Sequence, residues 1–377
     1  MSYKDLNDAE TTWDTKVQQY HGGQEWLILD HFVEDFSVTT NALGTPQIAL
    51  KAARDALDFC HHYPPANQEP AKTDLSKFIW PEDYELIHSR ILLGNGASEL
   101  IDLVTRSAKP GPWRPGPWIV QYKEYERSAS SLGRDILKYN DKTTKAALTC
   151  IVNPNNPTGD YMNIEEMKSY IEKTVPENST VMVDESMQPW HSEKWQQDSL
   201  ISQSKWIKEI FETKGIAIYI MHSWTKIWSC TGLRIGSVIC PTTEHCQDLK
   251  KIQVPWSVNV CALKFLEVVT SDAESKYMKK TWEITTNWRS DFRKKILDLK
   301  PKDQDWVIEG KPFISWVWID FKDKNVAADA VIRARAAGVP VRPGVNGYGC
   351  DTCVRAAVRS PALADVLIKS WIGLGQR

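Results

Sequence analysis

The run Ile216-Ala-Ile-Tyr-Ile-Met-His-Ser223-Trp-Thr-Lys226-Ile-Trp-Ser-Cys-Thr-Gly-Leu-Arg234-Ile-Gly236 decides how this chain is read. Its opening apolar stretch, Ile216–Met221, is predicted to be a buried strand that runs out into a polar segment. Lys226 follows that strand, with Ser223 three residues before it and Arg234 eight residues after it. A lysine amine so placed can form a Schiff base with an aldehyde cofactor, and Ser223 and Arg234 can hold that cofactor's phosphate. Lys226 is therefore the first candidate catalytic residue.

Three upstream segments supply the other parts such a cofactor needs. Leu93-Gly-Asn-Gly96-Ala97-Ser98-Glu-Leu-Ile101 follows a predicted strand and opens a predicted helix. Glycines there let the backbone approach an anion, and the helix N-terminus presents free N–H groups to it. By itself this run reads better as a structural turn, and it gains meaning only beside Lys226 and Arg234. Asn153-Pro-Asn-Asn156-Pro-Thr-Gly159 is a rigid Pro/Gly segment that would hold Asn156 as a fixed donor at the carboxyl edge of the sheet. Val181-Met-Val-Asp184 places Asp184 at the end of a buried strand, where a carboxylate can pair a pyridine nitrogen or cap the next helix. Taken in the order Asn156, Asp184, Lys226, Arg234, the residues point to pyridoxal 5'-phosphate (PLP) as cofactor, with Asp184 beside Lys226 in the chemistry.

The remaining chain frames these motifs. Its 377 residues suffice for two domains with a sizeable core. A formal net charge of −2 offers no long-range pull on nucleic acid, and no apolar stretch reaches membrane-spanning length. Met1–Glu10 is polar and lacks the apolar centre of a secretory signal, so the eight cysteines are expected to be reduced thiols in the cytoplasm. Cys350-Asp-Thr-Cys353 is a lone CxxC without the further ligands a zinc site needs, so no metal is expected.

From about Ser89 to Ile252 short apolar runs alternate with amphipathic segments, which predicts an α/β fold with a mostly parallel sheet. Strands are expected at Ile91–Leu93, Trp118–Gln121, Ala147–Val152, Thr180–Asp184, Ile216–Met221 and Ser237–Ile239. Pro110–Pro117 reads as a loop. A long helical region from Val258 to about Leu299, then extended and helical pieces, suggests a smaller α+β domain. The expected boundaries are 62–255 for a large PLP-binding domain, with 1–61 and 256–377 forming the small one.

On these motifs the chain resembles the fold-type-I, class I/II aminotransferase superfamily of PLP enzymes. The resemblance implies the PLP-transferase fold and a set of roles. Lys226 would carry the cofactor, Asp184 would pair its ring nitrogen, and Asn156 would contact its ring hydroxyl. Gly96, Ala97, Ser98, Ser223 and Arg234 would hold its phosphate. Tyr125, with Tyr122 as the alternative, would stack on the ring. Tyr63 would reach the phosphate of a neighbouring subunit, which implies a homodimer. Arg355 would bind the carboxylate of a small amino acid substrate.

The resemblance is nearer to the threonine-phosphate decarboxylase branch, itself similar to histidinol-phosphate aminotransferase. It rests on Tyr20-His-Gly-Gly23, Asp35-Phe-Ser37, Asn41-Ala-Leu-Gly44, Pro255-Trp-Ser-Val-Asn259 and Val341-Arg342-Pro with Val354-Arg355-Ala-Ala-Val-Arg359. In that branch His21, Asn41 and Arg342 would lie beside the substrate. Two departures stand out. Met187 occupies a position that often carries tyrosine, and Trp224 and Trp228 bracket Lys226, where they are expected to narrow the pocket. The implied activity is bond breaking at Cα with decarboxylation. The alternatives are transamination of the histidinol-phosphate type and a specialised, oxidase-like reaction. A degenerate, non-catalytic homologue is disfavoured by the intact Lys226, Asp184, Asn156, Arg234 and Arg355.

Overall fold

Six strands make the first sheet of the computed structural model, which describes residues 21–141, 143–271 and 275–376. Met1–Glu10 and Tyr20 fall outside those residues. In chain order the strands are β1 (Ile91–Asn95), β2 (Trp113–Pro115), β3 (Leu148–Val152), β4 (Thr180–Asp184), β5 (Ala217–Ser223) and β6 (Ile235–Ile239). Their spatial order is β1-β6-β5-β4-β3-β2. β2, β3, β4 and β5 pair in parallel, whereas β6 runs antiparallel to both β5 and β1. Every residue of β3, β4 and β6 is buried, which is why these segments read as continuous apolar runs rather than alternating ones. Helix Gly96–Ser107 leaves β1 directly and buries Leu100, Ile101, Leu103 and Val104.

One expected strand is misplaced. Trp118–Gln121 is irregular, and the strand lies at Trp113–Pro115, inside the segment expected to be a loop. Proline lacks an N–H, but β2 is an edge strand, so Pro115 leaves no ladder bond unmade. The later segment is tied down through side chains instead: the Trp118 indole donates to the Val152 carbonyl at 2.9 Å and the Gln121 amide to the Cys150 carbonyl at 3.1 Å.

The compact units also divide at other points than expected. Leu43–Asn156 and Tyr161–Trp282 form the larger unit; Pro157–Asp160, Glu283 onward and the described residues up to Ala42 form the smaller one. Residues 43–61 and 256–282 thus belong with the large sheet. The reason is local packing: helix Gln47–Asp55 lies against helix Val260–Val269, burying Ala49 and Ala53 on one and Ala262, Leu263 and Leu266 on the other.

The smaller unit carries a second sheet of β7 (Val307–Glu309), β8 (Trp316–Asp320), β9 (Arg342–Pro343) and β10 (Cys353–Ala357). Its order is β7-β8-β10-β9 and every pairing is antiparallel. Phe36, Phe292, Val317, Ile319, Val354, Ala356 and Trp371 share its core. Among the described residues no helix is long and apolar enough to cross a membrane.

Candidate active site

The carboxyl ends of β4 and β5 and the amino end of the antiparallel β6 set the first group of predicted residues side by side. Asp184 closes β4 and pairs in register with Met221 of β5; two residues on, Ser223 lies opposite Gly236 of β6, and Gly236 in turn lies opposite Gly94 of β1. The short helix Trp224–Ile227 then carries Lys226. Its ammonium donates to the Thr225 hydroxyl at 3.2 Å, and that hydroxyl is 2.9 Å from the Ser223 hydroxyl. The Ser223 N–H donates to Ser186 Oγ at 2.7 Å, linking β5 to the turn after Asp184.

Asp184 is 8% exposed and accepts the Ser186 N–H at 2.8 Å. Burial pushes its carboxyl above the ordinary value, while the Ser186 bonds and the positive charge of Lys226 pull it back down. Burial wins, and the amine contributes the last of the opposing pulls.

The phosphate end of the arrangement is built by glycine. Gly96 opens its helix at φ +77°, and a Cβ there would run into the Arg234 guanidinium. A Cβ on Gly236 would meet the Ala97 backbone nitrogen at 2.5 Å. Arg234 itself holds a left-handed φ of 60°, with its guanidinium donating to the Thr231 carbonyl at 3.2 Å. Gly96, Ala97, Ser98, Ser223 and Arg234 therefore surround one helix N-terminus, with donors and positive charge suited to a phosphate. With Lys226 for an aldehyde and Asp184 for a ring nitrogen, the residues present fit PLP. Asn156 is half-buried in the turn after β3.

Tyr125 is placed elsewhere than expected. It has no exposed surface and belongs to the core with Leu100, Ile101, Val104 and Met182, so it has no face to offer a ring. Its hydroxyl lies beside the Asp184 carboxylate without a partner at normal hydrogen-bond geometry, and burial together with that charge pushes the phenol well up. Tyr122 is half-buried and meets Tyr125 edge-on at 6.3 Å, which leaves it the open alternative. A signal for this was present: Tyr125, Ser128 and Ala129 recur at helical spacing and are all buried.

Trp224 and Trp228 do not narrow a pocket either. Each is 1% exposed, they stack at 5.3 Å, and Phe78 packs against both. His222, stacked on Trp224 at 4.8 Å, is wholly buried; burial lowers its imidazole to about 3, so it is neutral. Met187 is likewise buried. Tyr63 is 76% exposed and stacks on Trp256 at 4.2 Å.

The smaller unit holds the second group. Arg355 on β10 lies directly opposite Arg342 on β9, and the two are 6% and 4% exposed. Arg355 donates to the Ser37 carbonyl at 2.5 Å and Arg342 to the Asn346 carbonyl at 2.9 Å. The Gly23 N–H donates to Ser37 Oγ at 3.0 Å, which brings the His21-Gly-Gly23 segment to the same residue. Asn41 is buried in this unit, and His21 is half-buried. Sequence reasoning missed Thr225 and Tyr348; the latter touches both arginines.

A family model described as aminotransferase class I and II matches residues 33–370. The chain is 28% identical over 342 residues to histidinol-phosphate aminotransferase 2 of Haemophilus influenzae, spanning 85% of this chain and 84% of that protein. Among solved structures, the histidinol-phosphate aminotransferase of Sinorhizobium meliloti, in complex with pyridoxal-5'-phosphate, superposes with a TM-score of 0.76 at 18% identity, over 97% of this chain and 98% of that one. The L-threonine-O-3-phosphate decarboxylase of Porphyromonas gingivalis superposes with a TM-score of 0.70 at 17% identity, over 90% and 98%. These two likenesses establish a shared fold.

Proposed function

The chain belongs to the aminotransferase class I and II family of PLP enzymes, and from that premise we propose that it transfers an amino group to or from a small substrate bearing a phosphate. This moves the weight from decarboxylation, which the sequence favoured, to transamination of the histidinol-phosphate type. The curated relative named above is an aminotransferase, and that supports the change.

The observation that carries the reading is the Lys226 ammonium set against the buried Asp184 carboxylate at neighbouring strand ends. Bound PLP supplies an aldehyde for the lysine and a ring that draws electrons from the bond broken at Cα. Asp184 keeps a positive charge stable where water is excluded. The Lys226 amine, on its flexible four-carbon stem, could take a proton from Cα and return it. The Thr225 hydroxyl orients that amine, and Arg234 with Ser223 and the Gly96–Ser98 backbone would anchor the phosphate. Arg355 would hold the substrate carboxylate and Arg342 a second anion, both through bidentate contacts that fix which bond stands ready to break. Exposed Tyr63, with Leu57, Phe59 and Val254 also exposed, supports a homodimer in which Tyr63 reaches the partner's phosphate site.

Purified holoenzyme offered amino acids and phosphorylated amines, each with a keto acid acceptor, tests the reading. Amino-group transfer without CO₂ is expected. Release of CO₂ without any amino-group transfer would instead return the decarboxylase.

A further inference from the structure

The turn between β9 and β10 does more than connect two arginine-bearing strands. Tyr348 ends the short helical segment Val345–Tyr348, which closes on left-handed Gly347 and Gly349. The Gly344 N–H donates to the Cys353 carbonyl at 2.8 Å and the Cys350 N–H to the Gly344 carbonyl at 3.0 Å, so the turn folds back on itself. Trp318 of β8, directly opposite Arg355, meets the Tyr348 ring edge-on at 5.9 Å and 87°. The ring is therefore held from one side and 7% exposed.

From that fixed position Tyr348 touches both guanidiniums. Its hydroxyl accepts from Arg355 Nη1 at 3.4 Å, and the Arg342 guanidinium carbon stands 5.8 Å from its ring centre. We propose that Tyr348 is a positioning residue for substrate anions, aligning Arg355 through its hydroxyl and Arg342 through its ring. The proposal rests on the reading that these two arginines receive the substrate.

The physical reason is that two like charges on directly opposed positions repel, and long arginine side chains would swing apart to relieve this. A phenol can orient one cation by accepting a hydrogen bond and a second through its π face, and it adds no charge of its own.

The two contacts can be removed one at a time. Tyr348→Phe deletes the hydroxyl and keeps the ring. It is expected to raise KM about 3–10-fold for phosphorylated and unphosphorylated substrates alike, with kcat little changed. Tyr348→Leu deletes the ring as well, and a further rise of about 2–5-fold is expected, confined to phosphorylated substrates and matched by weaker inhibition by inorganic phosphate. A merely structural tyrosine would lower the melting temperature and kcat while leaving KM and the phosphate inhibition constant as they were; that result overturns the proposal. Arg355→Ala and Arg342→Ala are measured in parallel. If they leave KM unchanged, the anion reading itself falls; if they raise it and the Tyr348 variants do not, only the role of Tyr348 does.

Discussion

Two charge clusters in this molecule are built on opposite principles. At the ends of β4 and β5 a carboxylate raised by burial feels an ammonium, whose charge is one of several influences pulling it back down. On β9 and β10 two buried guanidiniums stand opposite one another. The first sets opposite charges near one another, as suits a permanently held cofactor. The second sets two like charges side by side, as suits an arriving anion. A resident group and a visiting one leave different electrostatic imprints.

The sharpest way to break the comparison is at Lys226. Lys226→Ala should lower turnover by about 10⁴-fold or more, because it removes both the covalent anchor and the proton carrier. Retention of full activity would end the assignment. Asp184→Asn keeps the shape and removes the charge, and kcat is expected to fall on the order of 10²–10³-fold. A Lys226 site that worked equally well beside an asparagine would mean that the internal balance is incidental. Arg355→Ala should reduce kcat/KM about 10²-fold, mostly through KM, since one charge-assisted bidentate contact is lost. Steady-state kinetics on one phosphorylated substrate reads all three. An Arg355 effect confined to kcat would place that residue in the first kind of cluster rather than the second.

These clusters were not equally legible in sequence. Asn156, Asp184, Lys226 and Arg234 sit at strand ends whose apolar runs are continuous, so their spacing along the chain translates directly into neighbouring strand termini. The parallel frame followed from the same runs. Arg342 and Arg355 were nameable from the family resemblance, but their cross-strand register depends on how the intervening turn folds, and no local pattern specifies that. The prolines of Pro110–Pro117 hide the edge strand β2, and the burial of Tyr125 follows from the phase of its helix, which sets it on one face with Ser128 and Ala129. The unit boundaries shifted for a related reason. Helices Gln47–Asp55 and Val260–Val269 are far apart in sequence, and only their mutual packing assigns both to the larger unit.

The smallest expected effect sharpens the comparison by one residue. Glu185 adjoins Asp184 and is just as deeply buried, and the leading influences on it do not include a positive charge. Ser199 Oγ donates to it, as does the Leu200 N–H at 2.9 Å, but Asp184 and Asp198 add repulsion to the burial, and the carboxyl is pushed up to about 7. A carboxyl raised above its unfolded value holds its proton more tightly in the folded chain, so its ionisation opposes folding. Stability linked to this group is therefore greatest below about pH 4.5 and declines as pH rises towards 7, by about 3 kcal/mol in all. Glu185→Gln keeps an amide that can accept from Leu200 and donate to Ser199 but cannot ionise. Its melting temperature should fall less than that of the parent chain between pH 5 and pH 8. Parallel melting curves for the two proteins across that range would mean that ionising Glu185 costs the fold little, and the comparison with Asp184 would lose its closest control.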